Sequence, residues 1–501
     1  MNLHSGGPFH IKGTPQNTIF RRSASSLALG HTARASSLPT VNRSALKNCT
    51  TAVFFCGLFW LGGGSFATGA DLTVLPGRHQ KISDWGLYPI EVFTDTLMNK
   101  PRIQELLFRD LKPTLLKVVI RNGCYDSAKD DGSLNKSMLD GTVVTQIRYL
   151  KQYDISGYFT TVDTPPWVWK RFPTIDGQQD LIPNPLIESR EEDFARYIVN
   201  VLSEIRSRGL PLPRAHSIQS AATLMIGRPP SCPYTPEQWA RVAVKTRKAL
   251  DAAGLQEVKL IGPDDLSYQG TLDFLDGPAA ARLGANQELG RGMDAFGFQG
   301  QIDRMSRGAS VIANMTALCQ MMADSGREIW MTGWADLRVS SDTDACLNVV
   351  RRLAGEMTRL RTNCWVWRVG YQNEQTAEAL VYGEAETTPL YRVLKRLWNS
   401  ARSGFWVRHV AIDDPSLQGT AERIEENAVA FEGPESVVIL IANPLVEAKQ
   451  LRVKTGGASR ILIWTTGTPD AERKLGPDSV HDGMFEMKLD ARTVAVIECF
   501  R

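Results

Sequence analysis

The sequence predicts an α/β protein: a (β/α)8 TIM barrel followed by a C-terminal antiparallel β-sandwich side domain. Three observations carry that prediction. Between about residue 85 and residue 401, short apolar runs alternate with longer amphipathic ones through eight cycles. From Trp406 onward the texture changes to short alternating runs broken by Gly, Pro and Asp, the pattern of antiparallel strands. The competing architecture, an open doubly wound sheet, calls for a glycine-rich phosphate turn after an early strand, and none is present.

The cycles read in order. WGLYPI near Trp85 opens the barrel, LLKVVI (Leu115–Ile120) is a buried parallel strand, and Thr142–Tyr153 an amphipathic helix. Gly157–Val162 is the next strand, and Glu191–Arg208 a helix with Phe194, Ile198, Val201 and Ile205 on one face. Strands at Ala215–Gln219, Val258–Gly262, Met293–Phe298, Glu328–Thr332 and Cys364–Trp367 follow. They alternate with helices at Pro236–Ala253, Gly270–Leu283, Ala309–Asp324, Asp342–Arg361 and Thr388–Ala401, the last started by Thr388 with Pro389 in its first turn. The runs AVAFEG, SVVILIAN, QLRVKT, RILIWTT, MFEMKL and TVAVIECF then supply the sandwich. The expected organisation is a leader over 1–70, a barrel over 71–404 and a sandwich over 405–501. A first strand near 72–75 is expected to join the sandwich.

The leader has its own chemistry. Residues 1–70 contain six basic residues and no acid. Thr51–Leu61 is apolar, and the small-residue stretch Gly62–Ala70 supplies a cut after Ala67 or Ala70, which together describe an export signal. The apolar run is too short to cross a bilayer comfortably, so no stable membrane span is expected once the leader is removed, and the destination is secreted or periplasmic. Beyond it, 51 bases face 54 acids, which gives nucleic acid and anionic membranes no electrostatic motive. Cys124, Cys232, Cys319, Cys346, Cys364 and Cys499 remain, with no CxxC pair and no metal-ligand spacing, so no metal or cofactor is expected. Both disulfides and isolated buried thiols are open to them.

In a parallel barrel the working residues lie at the C-terminal strand ends. Here those ends are rich in tryptophan: Trp85, Trp167, Trp169, Trp334 and Trp367. Flat aromatic faces suit sugar rings, so a carbohydrate is the expected partner. Trp330 and Trp365 are expected to line the barrel interior instead.

Several motifs resemble glycoside hydrolase family 30, barrels of clan A that carry a side β-sandwich. TVDTPPWVWK (Thr161–Lys170) is similar to the family's SPPAWMK-type loop, and HQKISDWGLY (His79–Tyr88) to its Q-x-I-x-GFG opening. LLKVVIRN resembles its second strand, YTPEQWA (Tyr234–Ala240) its TPEQ helix, and LIGPDD (Leu260–Asp265) its GPE strand end. WNSARSGFWVRHVAI (Trp398–Ile412) resembles the junction into the sandwich. The resemblance spans about residues 71–501 and implies hydrolysis of glycosidic bonds by two glutamates, one acid/base and one nucleophile.

At those two places the chain departs from the pattern. SIQSAATL aligns with the Q-N-E-P motif and puts Ala221 at the acid/base, with Ser220 at its asparagine neighbour. IWMTGWADL aligns with W-M-T-E-W and puts Gly333 at the nucleophile. A retaining glycosidase needs two carboxyls about 5–5.5 Å apart, and neither a methyl group nor a hydrogen transfers a proton or forms an ester. Candidate substitutes are Asp336, Asp163 and Asp264, each of which also reads as a solvated loop residue or a cap. Glu328 lies five residues before Gly333, about 16 Å back along a strand and at the wrong end. Arg121 aligns with a family arginine whose carboxylate neighbour is missing, so it is expected to meet Asp163, Asp264 or an acidic sugar. Gln299 and Gln301 stand where the family tends to carry His and Tyr. The sequence thus points to an exported, catalytically silent glycan-binding pseudo-glycosidase. The alternatives are an O-glycosyl hydrolase using non-standard carboxylates and a scaffold with a vestigial cleft.

Overall fold

The computed structural model describes residues 69–89, 100–127, 129, 132–171, 184–222, 232–275, 293–300, 308–334, 341–376, 378–420, 423–466 and 472–501. Residues 1–68 of the leader lie outside that set, as do the end of the Gly270–Leu283 helix, Gln301 and Asp336. The chain opens with strand β1 (Ala70–Lys81) and then runs through eight strands that close a parallel barrel. These are β2 (Asp84–Leu87), β3 (Leu115–Ile120), β4 (Gly157–Val162), β5 (Ala215–Ser217), β6 (Lys259–Asp265), β7 (Ala295–Phe298), β8 (Glu328–Trp334) and β9 (Cys364–Trp367). The ring closes where β9 pairs β2, with Trp85 opposite Trp365 and Leu87 opposite Trp367.

Local chemistry explains where the helices begin. Thr235 precedes Pro236 and its hydroxyl accepts from the Gln238 backbone N–H at 3.2 Å, while the Gln238 side-chain amide donates to the Leu186 carbonyl at 2.8 Å. Thr388 does the same for the Pro389–Ser400 helix by accepting from Tyr391. Proline at the first helical position costs nothing there because its missing N–H would be unpaired anyway.

Three two-residue strands, β10 (Tyr371–Gln372), β11 (Val381–Tyr382) and β12 (Glu386–Thr387), form a small sheet after β9. The remaining strands are β13 (Trp406–Ile412), β14 (Ala428–Glu432), β15 (Ser436–Asn443), β16 (Lys449–Lys454), β17 (Arg460–Thr465), β18 (Glu472–Leu475), β19 (Met484–Leu489) and β20 (Thr493–Phe500). They form one nine-stranded sheet with β1, in the order β18-β17-β20-β15-β14-β13-β1-β16-β19. β1 pairs antiparallel with β13 and parallel with β16, so the strand preceding the barrel belongs to the side domain.

Period-two alternation sorts that sheet's side chains. Val429, Phe431, Val438, Leu440, Val494 and Val496 join the core shared with the barrel helices. Their neighbours Ala430, Ile439, Ile441, Ala495 and Ile497 meet Leu72, Leu451, Ile461 and Phe485 in a second core, giving the layered, sandwich-like side domain. All six cysteines outside the leader are buried, and among the described residues none forms a disulfide. Burial pushes the Cys124 thiol up to about 11, and those of Cys346 and Cys499 to about 12. These are apolar packing groups rather than nucleophiles.

One ion cluster fastens the start of the chain to the sheet. Glu432 on β14 accepts from Arg78 on β1 at 3.0 Å and also from Arg408 and Arg501, while only 5% of its own side chain is exposed. These charged hydrogen bonds, Arg78's first among them, hold its carboxyl down at about 2. A depressed pKa contributes stability that is complete above the unfolded value near 4.5 and is lost as pH falls toward 2. Glu432→Gln is therefore expected to cost about 3 kcal/mol at pH 7 and to flatten the acid limb between pH 4.5 and 2. Urea titrations across that range check it; an unchanged acid slope would contradict the assignment.

Candidate active-site region at the barrel mouth

Inside the barrel, one end is sealed by apolar side chains: Leu115, Phe159, Ala215, Ile261, Ala295, Trp330, Cys364 and Val366. One residue pair further along the strands, the layer turns polar. Lys117, Thr161, Ser217 and Thr332 follow those positions at the same parity, and Asp264 joins them from the end of β6.

Asp264 is fully buried. Its Oδ2 accepts from Ser217 at 2.8 Å, and its Oδ1 accepts from the Thr332 hydroxyl and from Gln299 Nε2 at 3.1 Å. With three donors on it and no exposed surface, this carboxylate organises the mouth and presents no oxygen to solvent. Its backbone is left-handed at φ 56°, a conformation Asp tolerates better than most residues. Its carbonyl accepts from the Ala221 N–H at 2.9 Å. Ala221 is itself left-handed at φ 62°, a strain of about 1 kcal/mol for a residue with a Cβ. Gln299 also donates to the Ser220 hydroxyl at 2.6 Å, so it ties the ends of β5, β6 and β7 together. It is buried and its amide N–H group is occupied by these contacts, a positioning role in place of the sugar contact the sequence suggested.

Asp163, at the end of β4, is likewise occupied. Its Oδ1 accepts from the backbone N–H groups of Asn122 and Thr164 at 3.0 and 2.7 Å. Its Oδ2 lies 3.7 Å from Arg121 Nη1, which makes Asp163 the arginine's carboxylate partner. Burial raises the Asp163 carboxyl to about 6, against the opposing pull of Arg121 and the two N–H groups. Arg121 also donates to the Tyr88 hydroxyl at 3.0 Å and remains half-buried.

The tryptophans divide. Trp167 is half-buried at the end of β4, and Trp334, 5% exposed, closes β8 with its ring against Trp367 at 5.6 Å. Three of the five expected sugar platforms are corrected by burial. Trp85 points out of the barrel, donates to the Ala401 carbonyl and packs on Trp398 and Phe431, with no face left for a ligand. Trp169 is packed between Tyr125 and Tyr197. Trp367 is fully buried against Trp365 and Trp334 and donates to the Val369 carbonyl at 2.9 Å. Trp330 does line the interior, whereas Trp365 faces outward and donates to Glu356 of the Asp342–Thr358 helix at 2.9 Å. Asp336 and Gln301 fall outside the described residues.

The residue that sequence reasoning missed is Lys117. It sits inside the barrel on β3, 4% exposed, and donates to the Thr332 carbonyl at 3.0 Å. A Cβ built on Gly333 would lie 3.4 Å from its Nζ. Position 333, which the sequence resemblance sets against a nucleophile, therefore faces an amine. Burial lowers the Lys117 pKa, the Asp264 charge raises it and Arg368 lowers it.

A closed eight-stranded parallel barrel, with a side sheet that recruits the strand ahead of it, is the fold that this chain shares with solved family 30 glycoside hydrolases. Among solved structures, the chain matches the catalytic domain of xylanase C, a family 30 enzyme from Talaromyces cellulolyticus, with a TM-score of 0.68 and 12% identity over 86% of this chain and 100% of that one. A family 30 endoxylanase from Clostridium papyrosolvens gives 0.63 and 17% over 86% and 100%, and a conserved exported protein from Bacteroides fragilis 0.66 and 14% over 85% and 99%. No protein-family model and no curated sequence matches the chain. Among the described residues, no helix is long and apolar enough to cross a membrane.

Proposed function

We propose that the protein is an exported glycan-binding member of this fold that has lost the family's hydrolytic chemistry. The observation that carries the reading is what occupies the mouth. Alanine and glycine stand at the two aligned positions, and the two described candidate substitutes are committed elsewhere: Asp163 to Arg121 and two backbone N–H groups, Asp264 to three donors. Losing groups that act only in the transition state removes rate by orders of magnitude and leaves ground-state binding nearly intact. The apolar leader segment supports export, and half-buried Trp167 supplies a face for a sugar ring.

Affinity electrophoresis against a panel of polysaccharides, run beside a reducing-sugar assay, tests the reading. Retardation by at least one glycan without product release is the expected outcome, with Trp167→Ala weakening retention about tenfold. Release of reducing ends by the wild-type protein would favour the hydrolase with non-standard carboxylates. Absence of retention by every glycan would leave the vestigial scaffold.

A further inference from the structure

We propose that a cavity on the outer wall of the barrel is a second binding site, which takes the phosphate ester of a small organic molecule. It lies between the helical segment 101–110, the Pro389–Ser400 helix, and Trp464 and Glu472 of β17 and β18. It shares no residue with the barrel mouth and stands whichever reading of the mouth holds.

Charge is the first observation. Arg102, Arg109 and Lys112 reach the cavity from or just after segment 101–110, and Arg392, Lys395 and Arg396 from the later helix. Residues 392, 395 and 396 are spaced three and four apart, so they share one helix face, while Leu390, Val393, Leu394 and Leu397 bury the other. Like charges at that spacing repel. Two carboxylates line the cavity and both are taken: Asp110 pairs with Lys395 at 3.2 Å and Glu472 with Arg396 at 2.8 Å. Glu105 takes Arg109 at 2.6 Å. Among the described residues, Arg102, Lys112 and Arg392 have no ion-pair partner. Three uncompensated cations around one cavity favour an anion from outside.

Size and lining define that anion. A phosphate monoester brings a charge of about −1.5 to −2 and three acceptor oxygens, a better match for three cations than one carboxylate. Guanidinium forks pair with phosphate oxygens two at a time. Leu106, Ala385 and Trp464 give the same cavity apolar surface for an organic body. Its volume, about 790 Å³, falls within the range of about 300–1,000 Å³ usual for small-molecule sites. The positive charge is also local. Beyond the leader 51 bases face 54 acids, so a macromolecular polyanion meets no attracting field at long range, whereas a small ligand is held by the cavity's own charges.

The experiment is calorimetric titration of the full chain with phenyl phosphate, benzoate and phenol. Phenyl phosphate is expected to bind at least tenfold more tightly than benzoate, and phenol not at all. Arg102→Gln, Lys112→Gln and Arg392→Gln should each weaken phenyl phosphate about fivefold, and the three together should abolish its binding. All three side chains are at least partly exposed, so the variants should fold. Lys248→Gln, on the exposed face of the Pro236–Ala252 helix, should change nothing. Phenyl phosphate binding no tighter than benzoate, or affinity kept by the triple variant, overturns the site. Equal weakening by Lys248→Gln overturns it too, as does loss of binding in Trp167→Ala, which would put the ligand at the mouth. Binding to phosphatidylglycerol vesicles without binding of phenyl phosphate overturns the small-molecule ligand.

Discussion

Ala221→Glu combined with Gly333→Glu is expected to give the protein measurable hydrolysis of an activated aryl glycoside, at least a hundredfold above the wild type, with retention of anomeric configuration. Position 333, where the sequence resemblance sets the nucleophile, is the better prepared of the two. A glutamate there would find the Lys117 ammonium near its Cβ, and a neighbouring cation favours the ionised carboxylate needed for attack. Position 221 keeps a left-handed backbone fixed by the Asp264 carbonyl, so a side chain there leaves the strand end in a set direction. Two carboxyls must arrive together. Each single variant should stay near wild-type activity, because residues acting as a unit are strongly non-additive. Stopped assays with an aryl glycoside panel and proton NMR of the first-formed product measure both rate and stereochemistry. A folded, sugar-binding double variant without activity would show that one of the two positions is misaligned with the reaction centre.

Gly355→Ala should be the most damaging single methyl group in the described chain. A Cβ there would stand 1.7 Å from the Ile424 carbonyl oxygen and 2.7 Å from its carbon. Both are backbone atoms and cannot swing aside as a flexible side chain would. The Asp342–Thr358 helix would have to lift from the segment leading into β14, opening the seam between barrel and side sheet. A cost of at least about 3 kcal/mol is expected, large enough to lower soluble yield. Gly141→Ala is the control: nothing lies within 4 Å of its Cβ and its backbone is helical, so a gain of about 0.5–1 kcal/mol is expected. Equal melting temperatures for the two variants would refute the packing argument.

The eight cycles and the change of texture at Trp406 were readable because each strand is a short apolar run and each helix an amphipathic one. What the sequence could not supply was which face of a barrel strand each residue takes. Helices cover the outside and side chains fill the inside, so both faces are apolar and hydrophobicity does not separate them. That is why Trp85 and Trp367 read as sugar platforms although they pack outward, and why Trp365 read as interior. Strand ends misled as well. The chain at β6 runs on to Asp265 through an irregularity in its pairing with β7, which is what carries Asp264 inward to Ser217 and Thr332. Lys117 did leave a signal, a lone cation in an otherwise apolar strand. Its meaning depended on parity with Leu115, which the interior layer fixes.

The placement of β1 has a consequence for biosynthesis. Leu72 is opposite Ile412 and Val453, so the first described strand waits for partners made more than 330 residues later. While the ribosome completes the barrel, that strand exposes unpaired amides on both edges, open to association with other nascent chains. A chaperone that binds this strand until synthesis ends would protect it through that interval, and the side sheet would be the last part of the molecule to close.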